Sequence, residues 1–250
     1  MPDGIASAPD YADYRYVSRA YAAAELLHST GEKKFLDDFR AYAPWGTHPD
    51  APMYIYGRYD ASDAAYAFLR IPDRNPDPAL RDAVRAAVVR EADSYIAGSD
   101  RMAYKFIRHP DAPIVWGVGA YSVHIRPVLA AWFATRDRKY RDWIVRSCDN
   151  TLGANPMGLS WIVGLGERTI RAPLHNSRYR PAGVVADGMQ SEGPSARAGG
   201  YNYNETVYPE HRDDFAPLHE YADCHFAIAM DEGVVRNQVL AMAIFGTLLP

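Results

Sequence analysis

Three carboxylates, Asp223, Asp231 and Glu232, stand within ten residues of one another near the end of the chain. Glu232 interrupts a stretch, Ala227 to Val235, that is apolar apart from Asp231 and Gly233. A carboxylate in such company loses water, and desolvation disfavours its charged form, which equips it to donate a proton. Asp223 lies nine residues earlier, about two and a half turns away if one helix joins them. The same residues also read as a helix start, with Asp231 capping and Glu232 favoured by the dipole. Just upstream, His219-Glu220-Tyr221-Ala222-Asp223 nearly writes the zinc motif His-Glu-x-x-His, with His225 nearby. Its second ligand position holds Asp and no third ligand falls at a recognised distance, so neither a metal nor a cofactor is expected. Gly164-Leu165-Gly166 lacks the third glycine and the preceding strand of a dinucleotide loop. Gly-x-Ser-x-Gly and Gly-Lys-Ser/Thr are absent, which leaves serine nucleophiles and phosphate cradles unsupported.

The elements that must position these residues are helical. Tyr14, Val17, Tyr21 and Ala24 recur on one face of a first helix that Gly31 stops. Short helices are expected over 32–43, halted by Pro44, and over 60–69, ending before Pro72. A longer one over 79–96 buries Leu80, Val84, Ala87, Val88 and Tyr95 and ends at Gly98. Residues 116–135 predict a buried helix with a kink or break near Pro127, and 139–152 the next, closed by Gly153. From about Ala216 helix returns to the end, with one break at Gly233. Between them, 153–200 holds nine of the eighteen glycines and four prolines. Its interspersed Trp161, Ile162, Val163, His175, Arg178 and Tyr179 predict an ordered, functional loop, with one short strand over 159–163. Paired helices without convincing strands make an all-α array or toroid of about seven principal helices.

The 250 residues are 48% apolar and 23% charged, with a net charge of −4. That fits a folded globular chain and gives no reason to expect nucleic acid or an anionic membrane as partner. The longest apolar tract, 239–249, is shorter than the ~20 residues of a membrane span. Cys148 and Cys224 are the only cysteines, too few for a disulfide scaffold, and both are expected as buried thiols. The first residues, Met1-Pro2-Asp3-Gly4, have neither a basic nor an apolar leader region, so no secretory signal is expected. Localisation stays open.

Four motifs in order carry a resemblance. Leu152-Gly153-Ala154-Asn155-Pro156-Met157-Gly158-Leu159-Ser160 is followed by Ile162-Val163-Gly164-Leu165-Gly166. Leu174-His175-Asn176-Ser177-Arg178 comes next, and Tyr221-Ala222-Asp223 precedes Asp231-Glu232. Together they resemble the later part of the catalytic domain of glycoside hydrolase family 9, the inverting cellulases, over roughly residues 10 to 250. The resemblance implies an incomplete (α/α)6 toroid acting on the O-glycosidic bonds of a β-glucan-like polysaccharide or oligosaccharide. It implies Glu232 as proton donor, Asp223 as supporting aspartate and His175 as a cleft-lining catalytic residue, with Arg178 and Asn176 on sugar hydroxyls. Trp161, Tyr179, Tyr201 and Tyr203 are candidate stacking platforms, and Glu205 is a competing acid. Family members are commonly secreted. Departures are Asp231 for the usual Asn, Ile228 for an aromatic, Gln238 for Asn, and Arg178 one residue late.

The family's catalytic base sits in a Tyr-Asp-Ala-Gly-Asp segment, and inversion needs two carboxylates. Tyr59-Asp60-Ala61-Ser62-Asp63 imitates that segment much nearer to Glu232 than the family places it, and Asp60 reads better as a helix cap. The chain is therefore expected to be the C-terminal portion of such a domain, inactive alone, with apolar flanks covered by a missing N-terminal half or a homodimer partner. The alternative is a non-catalytic carbohydrate-binding or structural remnant.

Overall fold

A computed structural model of the chain describes residues 14–55, 59–72, 77–108, 123–174, 182–189, 219, 221–224 and 228–249. Eight α-helices occur among the described residues: α1 (Tyr14–Thr30), α2 (Lys33–Tyr42), α3 (Ser62–Leu69), α4 (Pro78–Asp100), α5 (Arg126–Thr135), α6 (Arg138–Thr151), α7 (Ile228–Asp231) and α8 (Val235–Gly246). A two-residue antiparallel pair, β1 (Tyr54–Ile55) and β2 (Tyr59–Asp60), matches Tyr54 with Asp60. The fold is all-α, of the α/α toroid class. The chain divides into two compact units, 1–94 with 126–140, and 95–125 with 141–250.

In the first unit α1 packs against α2 and α3. Its buried stripe is Val17, Ala20, Ala23, Ala24 and Leu27, whereas Tyr21, expected on that face, is 44% exposed. Small residues bring the neighbouring helices close, and the larger Tyr21 is left at the edge. Gly31 ends α1 at φ +70°, donating its N–H to Leu27 O at 2.9 Å, a left-handed closure that costs glycine nothing sterically. Phe39 and Phe68 stack face to face at 4.1 Å between ring centroids. Arg81 donates to the carbonyls of Leu69 and Ile71, at 3.0 and 2.6 Å, and so satisfies acceptors beyond the end of α3.

Two helix ends differ from the sequence expectation. Helix α4 runs through Gly98 to Asp100, since glycine costs a helix interior only about 1 kcal/mol and buried Ser99 ties the last turn to Arg108 N–H at 3.1 Å. Pro127 does not kink a helix; it lies in the first turn of α5, where a missing N–H leaves no bond unmade. The upstream part of that expected helix, 116–122, is outside the described residues.

The second unit buries Tyr95, Phe106, Ile107, Ile144, Trp161, Val185, Met189, Met230 and Ile244. Cys148 is a buried free thiol, pushed up to about 12 chiefly by desolvation. Cys224 is also free but half-buried, because it sits on a surface turn and not in a helix face. Helix α8 leaves Val235, Val239 and Met242 exposed at helical spacing, with Leu249 beyond its end.

Candidate active site

Four segments of the second unit build the site: 153–174, 182–189, 221–224 and 228–238. Gly153 leaves α6 at φ +124°, and Asn155, 4% exposed, organises the turn that follows. Its amide donates to Asn150 O at 2.7 Å and Leu159 O at 2.8 Å, and its Oδ1 accepts from Met157 N–H at 3.1 Å. One side chain thus replaces the ladder that this glycine-rich stretch cannot form. The short strand expected over 159–163 is reduced to single bridges, Ser160 with Thr169 and Ile162 with Val185.

Segment 182–189 is pinned on both sides. Val163 N–H reaches Val184 O at 2.8 Å and Ala186 N–H reaches Trp161 O at 3.0 Å. Opposite, the Gln238 amide makes a two-way pair with the Val185 backbone, at 2.9 and 2.7 Å. Asp187 N–H binds Glu232 O at 3.1 Å and Gly188 N–H binds Met230 O at 2.6 Å. Asn237 Nδ2 reaches the buried Asp187 carboxylate at 2.5 Å.

The three carboxylates divide their work. Asp223 accepts Arg171 N–H at 2.9 and 3.0 Å and Ala172 N–H at 2.7 Å, so it holds the backbone that leads into His175. Asp231 has no exposed surface. It accepts the Tyr221 hydroxyl at 2.7 Å and Cys224 N–H at 2.8 Å, while its carbonyl takes Leu174 N–H at 2.8 Å. Its carboxyl is pushed up to about 7, chiefly by burial, against the Tyr221 and Cys224 bonds that lower it and with the charges of Asp223 and Asp187 adding to the rise. Glu232 is half-buried at the break between α7 and α8, and its carboxylate takes no hydrogen bond from the described residues. Glu232 is thus partly buried, as its apolar stretch predicts, while the fully buried carboxyl is Asp231, which the sequence reading took for a helix cap.

Two further expectations change. Residues 221–224 are not helical; the bonds of Asp223, Cys224 and Tyr221 to other segments hold them as a turn. Asp231 does not cap a helix start, since it ends α7 and Val234 precedes α8. Trp161 is fully buried, its ring edge-on to Tyr221 at 5.0 Å, and is a core residue with no face for a sugar.

The structure brings Asp223 and Glu232 onto adjoining segments. His175, Asn176, Arg178, Tyr179, Tyr201, Tyr203, Glu205, Glu220 and His225 lie outside the described residues, and His219 is exposed. Asp60 accepts Ser62 N–H at 3.1 Å at the start of α3 and pairs with Arg126 at 3.0 Å; Arg126 also reaches Asp63 at 3.2 Å. Asp63 is walled on one side yet keeps 57% of its side-chain surface open. Its carboxyl is pushed up by desolvation, held back by Arg126, and pushed up further by Asp60. Sequence reasoning missed Asp187, although a lone carboxylate in Val184-Val185-Ala186-Asp187-Gly188 carries the signal used for Glu232.

Residues 4–222 match the family model of glycosyl hydrolase family 9, and the chain belongs to that family. The matched residues end before Asp223 and Glu232. Endoglucanase C of Cellulomonas fimi is 27% identical over 222 residues, 81% of this chain and 18% of that protein. Among solved structures, the family 9 endoglucanase J30 is 19% identical with a TM-score of 0.75, over 93% of this chain and 42% of that one. A thermostable endoglucanase of Alicyclobacillus acidocaldarius, solved as a single mutant, is 21% identical with a TM-score of 0.69, over 99% and 46%. A structure of AaCel9A holds a cellobiose-like isofagomine and is similar at a TM-score of 0.70, 21% identity, over 99% and 46%. The chain spans less than half the length of these relatives.

Proposed function

We propose that this chain contributes the proton-donating half of an inverting glycosidase site for a β-glucan-like polysaccharide, with Glu232 as the acid. One observation carries the assignment. Of the three neighbouring carboxylates, Asp223 is committed to backbone N–H groups and Asp231 is buried beneath Tyr221, while Glu232 alone is accessible without a bond from the described residues. Asp223 serves by holding the 171–174 segment, and His175, Asn176 and Arg178, which follow it directly, are assigned to sugar hydroxyls. The endoglucanase relatives and the isofagomine-bound neighbour support a glucan substrate.

Inversion also needs a carboxylate that activates water, about 6.5–9.5 Å from the acid. The family's Tyr-Asp-Ala-Gly-Asp segment does not occur in these 250 residues, and Asp60, its nearest imitation, is engaged by Ser62 and Arg126. The reading is therefore of a C-terminal portion whose base comes from a further part of the toroid. The exposed stripe of α8 supports a covered surface of that kind. Each acid or base group is worth ~10²–10⁴-fold, so the 250-residue chain binds cello-oligosaccharides with little or no turnover, and Glu232→Gln changes neither. Calorimetric titration beside a reducing-sugar assay tests this. Robust cleavage by this chain would overturn the missing-base reading, and failure to bind any β-glucan fragment would overturn the substrate.

A further inference from the structure

Asp231 stands where the resemblance leads one to expect Asn, and the structure uses its extra acceptor. One carboxyl oxygen takes the Tyr221 hydroxyl and the other takes Cys224 N–H, at 2.7 and 2.8 Å. Between those two residues lies Asp223, whose own carboxylate holds the N–H groups of Arg171 and Ala172. That segment returns to its start, because Leu174 N–H binds the Asp231 carbonyl and Leu174 bridges Glu232. The result is a closed circuit of three segments around the residue preceding the proposed donor.

We propose that Asp231 is a positioning residue: a buried clasp whose carboxyl group holds the 221–224 turn, and through Asp223 the 171–174 segment, in register with the Glu232 backbone. It deepens the reading of Glu232 as donor and rests on it for its functional consequence, but the clasp itself is testable without any substrate. The groups facing Asp231 among the described residues are Tyr221, Asp223 and Cys224 from the turn, Asp187 from 182–189, and Glu232 beside it; its acidic neighbours favour the neutral form and its two donors the ionised one. Asn can preserve both contacts. Its carbonyl accepts Cys224 N–H, and its amide donates to Tyr221, whose hydroxyl serves equally as acceptor. Leu preserves the volume and neither contact.

Amide hydrogen exchange reads the clasp at residues that Asp231 does not touch. Asp231→Leu raises exchange at Arg171 and Ala172 about tenfold or more, the cost of a lost hydrogen bond to a buried acceptor, whereas Asp231→Asn leaves both at wild-type protection. Wild-type protection at these two amides falls as pH rises toward about 7, and the decline is absent in Asp231→Asn. If Asp231→Leu does not fold, Tyr221→Phe decides, with a rise of about threefold or more expected from the loss of one donor. Unchanged protection at Arg171 and Ala172 in a folded variant, or equal loss in Asp231→Asn and Asp231→Leu, overturns the clasp. Titration with cello-oligosaccharide forms the functional arm, weakened in Asp231→Leu and retained in Asp231→Asn. If wild type itself binds no oligosaccharide, the substrate reading fails while the exchange result still stands or falls by itself.

Discussion

Gly233, immediately after the proposed donor, is held so close to Val184 that an added Cβ would displace the valine side chain. A Cβ added there would sit well inside the Val184 Cγ1, with Val185 O 3.6 Å away. Carbon atoms pack at about 3.5–4.0 Å, so Gly233→Ala must open the junction by on the order of an ångström. Segment 182–189 has nowhere to retreat. Val184 O and Val163 O accept N–H groups across one side, at 2.8 Å each, and Gln238 grips Val185 on the other. Overpacking of this kind costs about 1–3 kcal/mol. Val184→Ala alone removes two methyl carbons from a half-buried site, worth about 1 kcal/mol. In the double variant the new methyl fills the space the valine vacated, so the two costs do not add, and their coupling is about 1 kcal/mol or more. Urea unfolding of the four proteins, with amide exchange at Val185 and Asp187 as the local probe, measures the cycle. A Gly233→Ala chain as stable as wild type, or a double variant with strictly additive costs, would refute the close-approach argument.

Asn155→Asp keeps shape but turns two donated bonds, to Asn150 O and Leu159 O, into oxygen–oxygen contacts; about 3 kcal/mol of stability is lost in urea titration. The raised carboxyl of Asp231 makes stability fall with pH: the unfolded group ionises near 4 and the folded one at about 7. Stability is therefore fully present at acid pH and declines between those values, by up to about 4 kcal/mol; the slope disappears in Asp231→Asn. A thiol reagent labels half-buried Cys224 in the native protein, and buried Cys148 only on unfolding; Cys148→Ser leaves the native labelling rate unchanged.

Helices with a strong stripe and an explicit stop were legible in the sequence. Leu80, Val84, Ala87, Val88 and Tyr95 are all buried in α4 as their spacing requires, and Gly31 closes α1. The errors lie where long-range bonds outweigh local pattern. Ser99 carries α4 past Gly98 through its bond to Arg108, which a window around the glycine does not contain. Residues 221–224 have helix-compatible types and precede α7, yet Asp223 and Cys224 spend their hydrogen bonds on 171–172 and 231. Glu232, expected to be partly desolvated, is half-buried, and the fully buried carboxyl is its neighbour Asp231. Burial of one of two adjacent acids depends on which faces Met230 and Tyr221, and sequence spacing holds no such information.

The departures from the resembling pattern become intelligible once the neighbourhood is read as a set of clamps. Asn155, Asp223, Asp231, Asn237 and Gln238 direct their polar atoms at backbone or at the side chains of Tyr221 and Asp187. What such positions require is an acceptor or donor at the correct reach, and a neighbour can supply it with a different side chain. Gln238, one methylene longer than Asn, spans to Val185 and binds both its N–H and its carbonyl, while Asn237 takes the shorter path to Asp187. Asp231 offers two acceptors to two donors. Substitution at the clamps changes how the proposed donor is held, and the Glu232 carboxylate takes no part in that work among the described residues.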